Sequence, residues 1–261
     1  MSAARQPFRR KPQTSARKRF HTRPKTANRP KGENTMQKIG VVVAMEEELS
    51  PVLGKLGSAE IVCHHPYFVK KIALGSSELY LVKSGVGEIS AAGAAQFLLT
   101  AYGCEALWNF GVVGGLTDEM DFNRVVLVDR VVHYAFDTSA IDHVAPGFYV
   151  DLGRMYFETD RSLLAAAKAT FPDYPLVTIA SADRFVAKPE EKQALAETFS
   201  ADVCDMESAA VALIALRNKV PFFMMKAVSD SKNDGAKFND LVHASCEAFS
   251  KAVVALLHSL A

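Results

Sequence analysis

Residues 38–44 read KIGVVVA, and residues 46–56 continue the chain as EEELSPVLGKL. The first segment, Lys38–Ala44, is a near-continuous apolar run, which is typical of a strand that is buried on both faces of a sheet. The second segment, Glu46–Leu56, predicts a helix. A buried strand that leads directly into a helix indicates an α/β layer architecture.

Strand-length apolar runs and helical patterns alternate along the rest of the chain, which favours one α/β domain. The connection at Gly75 predicts a hairpin between two strands. Gly111–Gly115 follows a strand and is interpreted as a tight turn, and Ala135–Met155 predicts a long loop of the kind that is often functional. The further strands are predicted at Phe68–Leu74, Glu78–Ser84, Ala106–Phe110, Val125–Val132, Leu176–Ser181 and Pro221–Val228. The further helices are predicted at Ile89–Tyr102, Ser162–Phe171, Pro189–Phe199, Asp205–Asn218 and Phe238–Leu260.

Composition narrows the class of protein. Of the 261 residues, 49% are hydrophobic and 23% are charged, and no apolar run reaches the ~18 residues of a membrane span. We therefore expect a soluble globular protein. Its cysteines are scattered without a CxxC pair or zinc-type spacing, which indicates reduced thiols of a cytoplasmic protein and no metal site. They are Cys63, Cys104, Cys204 and Cys246.

Charge divides the chain at Met36. Residues 1–35 contain eleven Lys or Arg and one acidic residue, Glu33, whereas the remainder carries 19 basic and 28 acidic side chains. A basic segment with few large apolar residues is predicted to be disordered, so we expect a leader at 1–35 and a folded domain at 36–261. The leader could contact nucleic acid, act as an organelle transit peptide, or be an extension upstream of a working protein that starts at Met36.

Ligands of open α/β sheets bind outside the carboxyl ends of the strands. Each candidate there also has a structural explanation, because first-turn acids complement the helix dipole, glycines form turns and Asp230 could cap the next segment. Taken together, they predict a pocket with two or three carboxylates, one aromatic platform and no dedicated metal set. The candidates are Glu46–Glu48, Gly111–Gly115, Asp183–Val186, Met206-Glu207 and Ser229-Asp230.

Six stretches between Ile39 and Asp230 resemble the 5′-methylthioadenosine/S-adenosylhomocysteine nucleosidases, within the purine nucleoside phosphorylase-like superfamily. They occur in family order and span nearly the whole chain after the leader. The resemblance implies a three-layer α/β/α fold around a twisted mixed sheet, assembled as a homodimer. It also implies hydrolysis of an N-glycosidic bond without metal or organic cofactor. The stretches are Ile39–Leu49, Ser84–Ala92, Asn109–Leu116, Ala182–Val186, Asp205–Ala210 and Lys226–Asp230.

The resemblance also implies catalytic roles for two carboxylates. By position, Glu48 would deprotonate the attacking water, and Asp230, supported by Ser229, would protonate N7 of the departing purine. A general acid must be protonated near neutral pH, which requires that Asp230 is buried. Two carboxylates with opposed tasks are a recurrent arrangement in glycosyl hydrolysis.

The remaining site residues implied by the resemblance would bind the purine nucleoside. Glu207 would bind the ribose 2′- and 3′-hydroxyls, and Met206 would pack against the sugar. Phe185 would stack on the base, and the Val186 backbone would read its edge. Three further residues are assigned to the substrate site by position: Met45, Gly114 and Lys226.

The sequence departs from the family pattern in two places. Val112 stands where the family usually has a serine or threonine hydroxyl near the attacking water, and Lys226 stands where many members have arginine. Lysine lacks the guanidinium fork, so we expect it to alter how Glu48 is held. The loop Ala135–Phe148 and Phe238 are expected to read the 5′ end of the substrate, whose identity stays open.

Three further functions remain open. The first is a nucleoside phosphorylase on the same fold, which would bind a phosphate dianion with arginines. Here the residue that enters the glycine stretch is Asn109 rather than an arginine. Three glutamates follow the first strand, and their negative charge would repel phosphate. The second is a non-catalytic nucleoside-binding protein, and the third is a nucleic-acid binder that relies on the leader. The expected location is cytoplasmic, or organellar if the leader is a transit peptide.

Overall fold

A computed structural model describes residues 37–233 and 238–260 of the chain. The predicted basic leader lies outside the described residues. The strands are β1 (Gln37–Val43), β2 (Glu60–Cys63), β3 (Val69–Leu74), β4 (Ser77–Lys83), β5 (Ala106–Gly115), β6 (Val125–His133), β7 (Tyr156–Glu158), β8 (Leu176–Ser181), β9 (Val203–Asp205) and β10 (Phe222–Asp230). The helices are α1 (Glu46–Leu56), α2 (Glu88–Ala101), α3 (Ser139–Asp142), α4 (Arg161–Thr170), α5 (Pro189–Phe199), α6 (Ser208–Asn218) and α7 (Phe238–Leu260).

The strands form one mixed sheet in the order β10-β6-β8-β9-β5-β1-β4-β3-β2, with β7 paired to β6. Strand β1 lies between β4 and β5 and is parallel to both. Strand β10 pairs with β6 and also with β5. The pairing of β10 with β5 closes a ring of five strands, which are β10, β6, β8, β9 and β5. Because β5 and β10 are parallel neighbours, their carboxyl ends lie side by side.

Helices cover both faces of the sheet, as the resemblance implied. Successive side chains of a strand point to opposite faces, and β1 contributes Val42 to one apolar cluster but Val41 and Val43 to another. The first cluster is completed by helices α2 and α6, and the second by helices α1 and α7. Burial of each large aliphatic side chain in these layers contributes about 1.5–3 kcal/mol.

Strand β5 corrects the predicted turn at Gly111–Gly115. The strand runs through these glycines to Gly115 because two neighbours supply hydrogen-bond partners: β10 pairs with it from Leu107 to Gly114, and β9 pairs with it at Gly114 and Gly115. A further correction concerns the helix predicted from Asp205. That residue ends β9, and helix α6 begins at Ser208. Three short strands, β2, β7 and β9, were not predicted.

Other sequence predictions can be compared with the described residues. None of the helices they contain is long and apolar enough to cross a membrane. The four cysteines are free thiols. The same residues hold no group of three or more His, Cys, Asp or Glu side chains placed to bind a metal ion.

Candidate active site

A cleft with an open volume of about 650 Å³ lies at the carboxyl ends of the strands, a size that is typical of small-molecule sites. Nine of the ten residues predicted for the site line it. They are Met45, Glu48, Gly114, Phe185, Val186, Met206, Glu207, Ser229 and Asp230. The loop expected to read the 5′ end, Ala135–Phe148, contributes no lining residue within the described structure. The other residue expected there, Phe238, has a side chain that is not among those the structure describes.

Glu48 is the one buried member of the three glutamates in the first turn of α1. Its Oε2 accepts hydrogen bonds from the backbone N–H groups of Ala44 (3.1 Å) and Met45 (2.9 Å), and its Oε1 accepts one from Val112 (2.9 Å). A Cβ at Gly111 would lie 2.6 Å from Oε1, so the carboxylate reaches the β5 backbone only because this residue is glycine.

Burial raises the pKa of Glu48, against the opposing effect of its three backbone hydrogen bonds and the charge of Lys226. A carboxylate with a raised pKa holds a proton more firmly than an exposed one. The backbone N–H groups favour the ionised form, in which both oxygens are acceptors. Glu48 is therefore suited to accept a proton from a molecule in the cleft.

Asp230 ends β10 and is 1% exposed, so its expected burial is confirmed. The Ser229 hydroxyl donates to its Oδ1 at 2.9 Å. Its Oδ2 accepts a hydrogen bond of 2.5 Å from Nζ of Lys192, a fully buried residue of α5. The carboxyl group of Asp230 is therefore in direct contact with a buried cation.

Lys192 was not predicted from the sequence. A signal for it exists, because Lys192, Leu195 and Phe199 recur at the i, i+3 and i+7 positions of one helix face. Phe199 on this face is buried and Leu195 packs on the same apolar cluster. A lysine in such a row is directed into the protein, where it needs a buried acceptor.

Glu207 lies at the start of α6 and is 8% exposed. Its Oε1 accepts a hydrogen bond of 2.7 Å from the backbone N–H of Gly87. Burial raises the pKa of Glu207 to about 7, and the negative charge of Asp205 adds to this shift. Near neutral pH the carboxyl group is therefore present in both protonation states and can accept from or donate to a hydroxyl group.

Lys226 corrects one predicted assignment, because it does not line the cleft. Its Nζ lies 2.9 Å from Oδ2 of Asp205, and both side chains are 2% exposed. Burial acts to raise the pKa of Asp205, but the Lys226 charge and hydrogen bonds from Ser208 and Ser181 hold it below its ordinary value. Lys226 is thus the counter-ion of Asp205, a buried carboxylate in the wall of the cleft, and it acts on Glu48 through its charge.

The aromatic platform comes from the segment between β8 and α5. Phe185 lines the cleft and is 48% exposed, while its neighbour Val186 is buried. Arg184 is bonded to Glu191 of α5 at 2.7 Å, which ties this segment to the helix. A half-exposed aromatic ring at the mouth of a cleft offers a face on which a planar base can stack.

A family model for the phosphorylase superfamily matches residues 38–261. The chain belongs to this superfamily. The match begins at the second residue of β1 and includes every residue of the cleft. The resemblance drawn from the six sequence stretches is thereby confirmed at the level of the superfamily.

Individual members of the superfamily that resemble the chain are nucleosidases. An aminodeoxyfutalosine nucleosidase from Campylobacter jejuni is 30% identical over 210 residues, which cover 78% of this chain and 90% of the relative. A 5′-methylthioadenosine/S-adenosylhomocysteine nucleosidase from Listeria monocytogenes is 25% identical over 238 residues, or 85% and 99% of the two chains.

Solved structures that resemble the chain are also those of nucleosidases. Futalosine hydrolase of Helicobacter pylori superposes with a TM-score of 0.79 at 26% identity and covers 86% of this chain and 98% of its own. A 5′-methylthioadenosine/S-adenosylhomocysteine nucleosidase from the same organism, in complex with butyl-thio-DADMe-Immucillin-A, has a TM-score of 0.78 at 27% identity, with 85% and 97% covered. The three-layer fold and the enzyme class are confirmed: the chain is a hydrolase of N-glycosyl bonds.

Proposed function

We propose that the protein hydrolyses the N-glycosidic bond of 5′-methylthioadenosine, S-adenosylhomocysteine or a related purine nucleoside, releasing the base and the ribose-containing product. The proposal rests on one observation: Glu48, Glu207 and Asp230, three of the four buried carboxylates that line the cleft, lie in it together with Phe185, and the fourth, Asp205, is paired with Lys226. The relatives are named for two kinds of substrate, and aminodeoxyfutalosine therefore belongs among the candidates.

Glu48 is the proposed general base. It takes one proton from the attacking water, whose oxygen forms the new bond to C1′ of the ribose. The raised pKa of Glu48 supports this role because a more basic carboxylate removes a proton more readily. Three backbone hydrogen bonds keep the carboxylate in one orientation toward the water.

Asp230 is the proposed general acid. The C1′–N9 bond breaks with its electron pair passing to the purine, and a purine anion is a poor leaving group. Proton transfer from Asp230 to N7 neutralises that charge, and a positioned acid of this kind contributes about 10²–10⁴-fold. The Ser229 hydroxyl, 2.9 Å from Oδ1, holds the carboxyl group in place.

The other lining residues are proposed to bind the nucleoside. Oε1 of Glu207 is already engaged by Gly87, which leaves Oε2 for the ribose hydroxyls. Hydrogen bonds to these hydroxyls strengthen as positive charge develops on the sugar, so they favour the transition state over the substrate. Phe185 would stack on the base, the Val186 backbone would read its edge, and Met206 would pack against the sugar.

We also propose that the protein is a homodimer, as the resemblance implied. Two large apolar side chains support this arrangement because they are exposed to solvent in the single chain: Ile89 at the start of α2 is 84% exposed, and Ile141 in α3 is 80% exposed. Ile89 borders an apolar groove with His133. Light scattering of the purified protein would test the proposal, with Ile89→Asp expected to shift a dimer to a monomer. The cytoplasmic or organellar location stays a prediction.

The deciding experiment measures free base released from 5′-methylthioadenosine, S-adenosylhomocysteine, aminodeoxyfutalosine and adenosine, each with and without phosphate. We expect release that does not depend on phosphate, and the relative kcat/KM values would identify the substrate. Release that requires phosphate would indicate a phosphorylase. Binding of nucleosides without release would favour a non-catalytic binding protein.

A further inference from the structure

Lys192 is among the largest side chains that are fully buried in the described structure. Its Nζ donates to Asp230 Oδ2 at 2.5 Å and to the backbone carbonyl of Ser231 at 2.8 Å. Breaking a buried ion pair by removal of one partner is costly because the other charge is left without compensation. Lys192 and Asp230 therefore act as a unit.

We infer that Lys192 is a positioning residue for the acid of the reaction: it fixes Oδ2 of Asp230 and stabilises the carboxylate that forms when Asp230 gives its proton to the base. The inference rests on the proposed function, in which Asp230 protonates N7. It assigns a role to α5, a helix that contributes no residue to the lining of the cleft in the described structure.

The geometry restrains the Asp230 carboxyl group from three directions. The Ser229 hydroxyl holds Oδ1, the Lys192 ammonium holds Oδ2, and Gly114 lies against the group so closely that a Cβ there would be 3.2 Å from Oδ2. A group held in this way has little rotational freedom. Its proton is thus presented in one direction, which is the condition for efficient general-acid catalysis.

The charges around Asp230 leave Lys192 as its direct counter-ion. On β9, burial raises the pKa of the Cys204 thiol to about 12, so this neighbour is neutral. Asp205, also on β9, is paired with Lys226 of β10. Strand β5 contributes Gly114, which carries no charge. Among the described neighbours, Lys192 is therefore the cation in hydrogen-bond contact with Asp230.

The effect of Lys192 changes along the reaction. As the C1′–N9 bond breaks, the proton moves from the Asp230 oxygen to N7, and Asp230 becomes a carboxylate. Its attraction to the Lys192 ammonium is strongest at that point, so the pair stabilises the transition state more than the ground state. A proton must then return to Asp230 from solvent before the next turnover.

Three variants test the inference by the pH dependence of kcat and KM for base release. Lys192→Met removes the charge, Lys192→Arg keeps it, and Lys188→Met is the matched control, because Lys188 precedes the same helix and its side chain is 67% exposed. We expect Lys192→Met to lower kcat by about 10- to 100-fold, part of the ~10²–10⁴ contributed by a general acid, with a smaller change in KM.

The pH profile separates this role from a structural one. Lys192→Met removes the charge that favours transfer of the proton from Asp230, so the alkaline limb of the kcat profile should move to higher pH in this variant. Lys192→Arg should keep that limb in place, and Lys188→Met should match the wild type. If Lys192→Met does not fold, Lys192→Gln, which can still donate a hydrogen bond to Asp230, carries the same expectation of a shifted limb.

Wild-type kcat and an unmoved alkaline limb in the folded Lys192 variants would overturn the inference. Equal loss in Lys192→Met and Lys192→Arg without any shift would also overturn it. Asp230→Asn distinguishes this failure from failure of the proposed function. If Asp230→Asn is inactive while Lys192→Met is normal, only the role of Lys192 is lost; if Asp230→Asn is fully active, Asp230 is not the acid and both proposals fall.

Discussion

The backbone N–H of Val112 donates a hydrogen bond of 2.9 Å to Oε1 of Glu48. This contact joins the first turn of α1 to the carboxyl end of β5 and does not depend on the side chain at position 112. The valine that departs from the family pattern therefore keeps the backbone hydrogen bond to Glu48. What it removes is a hydroxyl group beside the cleft, where the attacking water is proposed to bind.

We expect Val112→Ser to preserve or raise kcat for base release. A hydroxyl at this position supplies one more hydrogen bond for the water, while the backbone bond to Glu48 is retained. Steady-state kinetics of the two proteins would check this. A large loss of activity in Val112→Ser would show that the side chain serves packing rather than water placement.

Glu48→Gln should abolish turnover, because an amide cannot accept the proton of the attacking water. The amide oxygen can keep the hydrogen bond from one backbone donor, so we expect the fold and nucleoside binding to persist. Activity and calorimetric binding measured on the same preparation would separate the two effects. Normal rates would move the base to Glu46 or Glu47.

Gly111→Ala should lower kcat strongly. The new Cβ would lie 2.6 Å from Glu48 Oε1, so the carboxylate must shift away from the backbone of β5. Gly54→Ala is the matched control, since a Cβ at this helical position meets nothing within 4 Å; it should retain activity and gain up to about 1 kcal/mol in unfolding free energy. Equal activity in both variants would contradict the proposed role of Gly111.

Glu207→Gln should change the pH dependence of stability in a defined direction. The pKa of Glu207 is raised from 4.5 to about 7 in the folded protein, so its neutral form is compatible with burial and its ionised form is penalised. The stability associated with the neutral form is present below about pH 4.5 and is lost as the pH rises through about 7.

Melting temperatures of the wild type and Glu207→Gln between about pH 5 and pH 8 would check this. The variant should gain on the wild type as the pH rises, because it carries no charge at this position. Glu48, whose pKa is also raised, is present in both proteins, so its contribution cancels in the comparison. A constant difference in melting temperature across the range would contradict the raised pKa of Glu207.

Deletion of residues 1–35 should leave base release unchanged, because the cleft is built from residues of the folded domain. Binding to nucleic acid, if present in the full chain, should vanish with the eleven basic side chains and fall steeply with salt. Kinetics and filter binding of the two forms would test both points. Loss of turnover would assign the leader a part in the enzyme.

The sequence by itself determined the order of the main strands and helices, because apolar runs and helical patterns are local features of the chain. It also placed Glu48, Phe185 and Asp230 in one site, since parallel strands bring their carboxyl ends to one edge of a sheet. The short strands β7 and β9 could not be predicted, because segments of three residues pair only where neighbouring strands are already in place.

Only the tertiary structure decided which charges pair. Lys192 and Asp230 are 38 positions apart, and Lys226 lies close enough to bond Asp205 rather than Glu48. No local pattern encodes these choices, because a buried charge selects whichever opposite charge the packing of distant elements brings within bonding distance. In the same way, β5 continues through its glycines because β9 and β10 lie on either side of it.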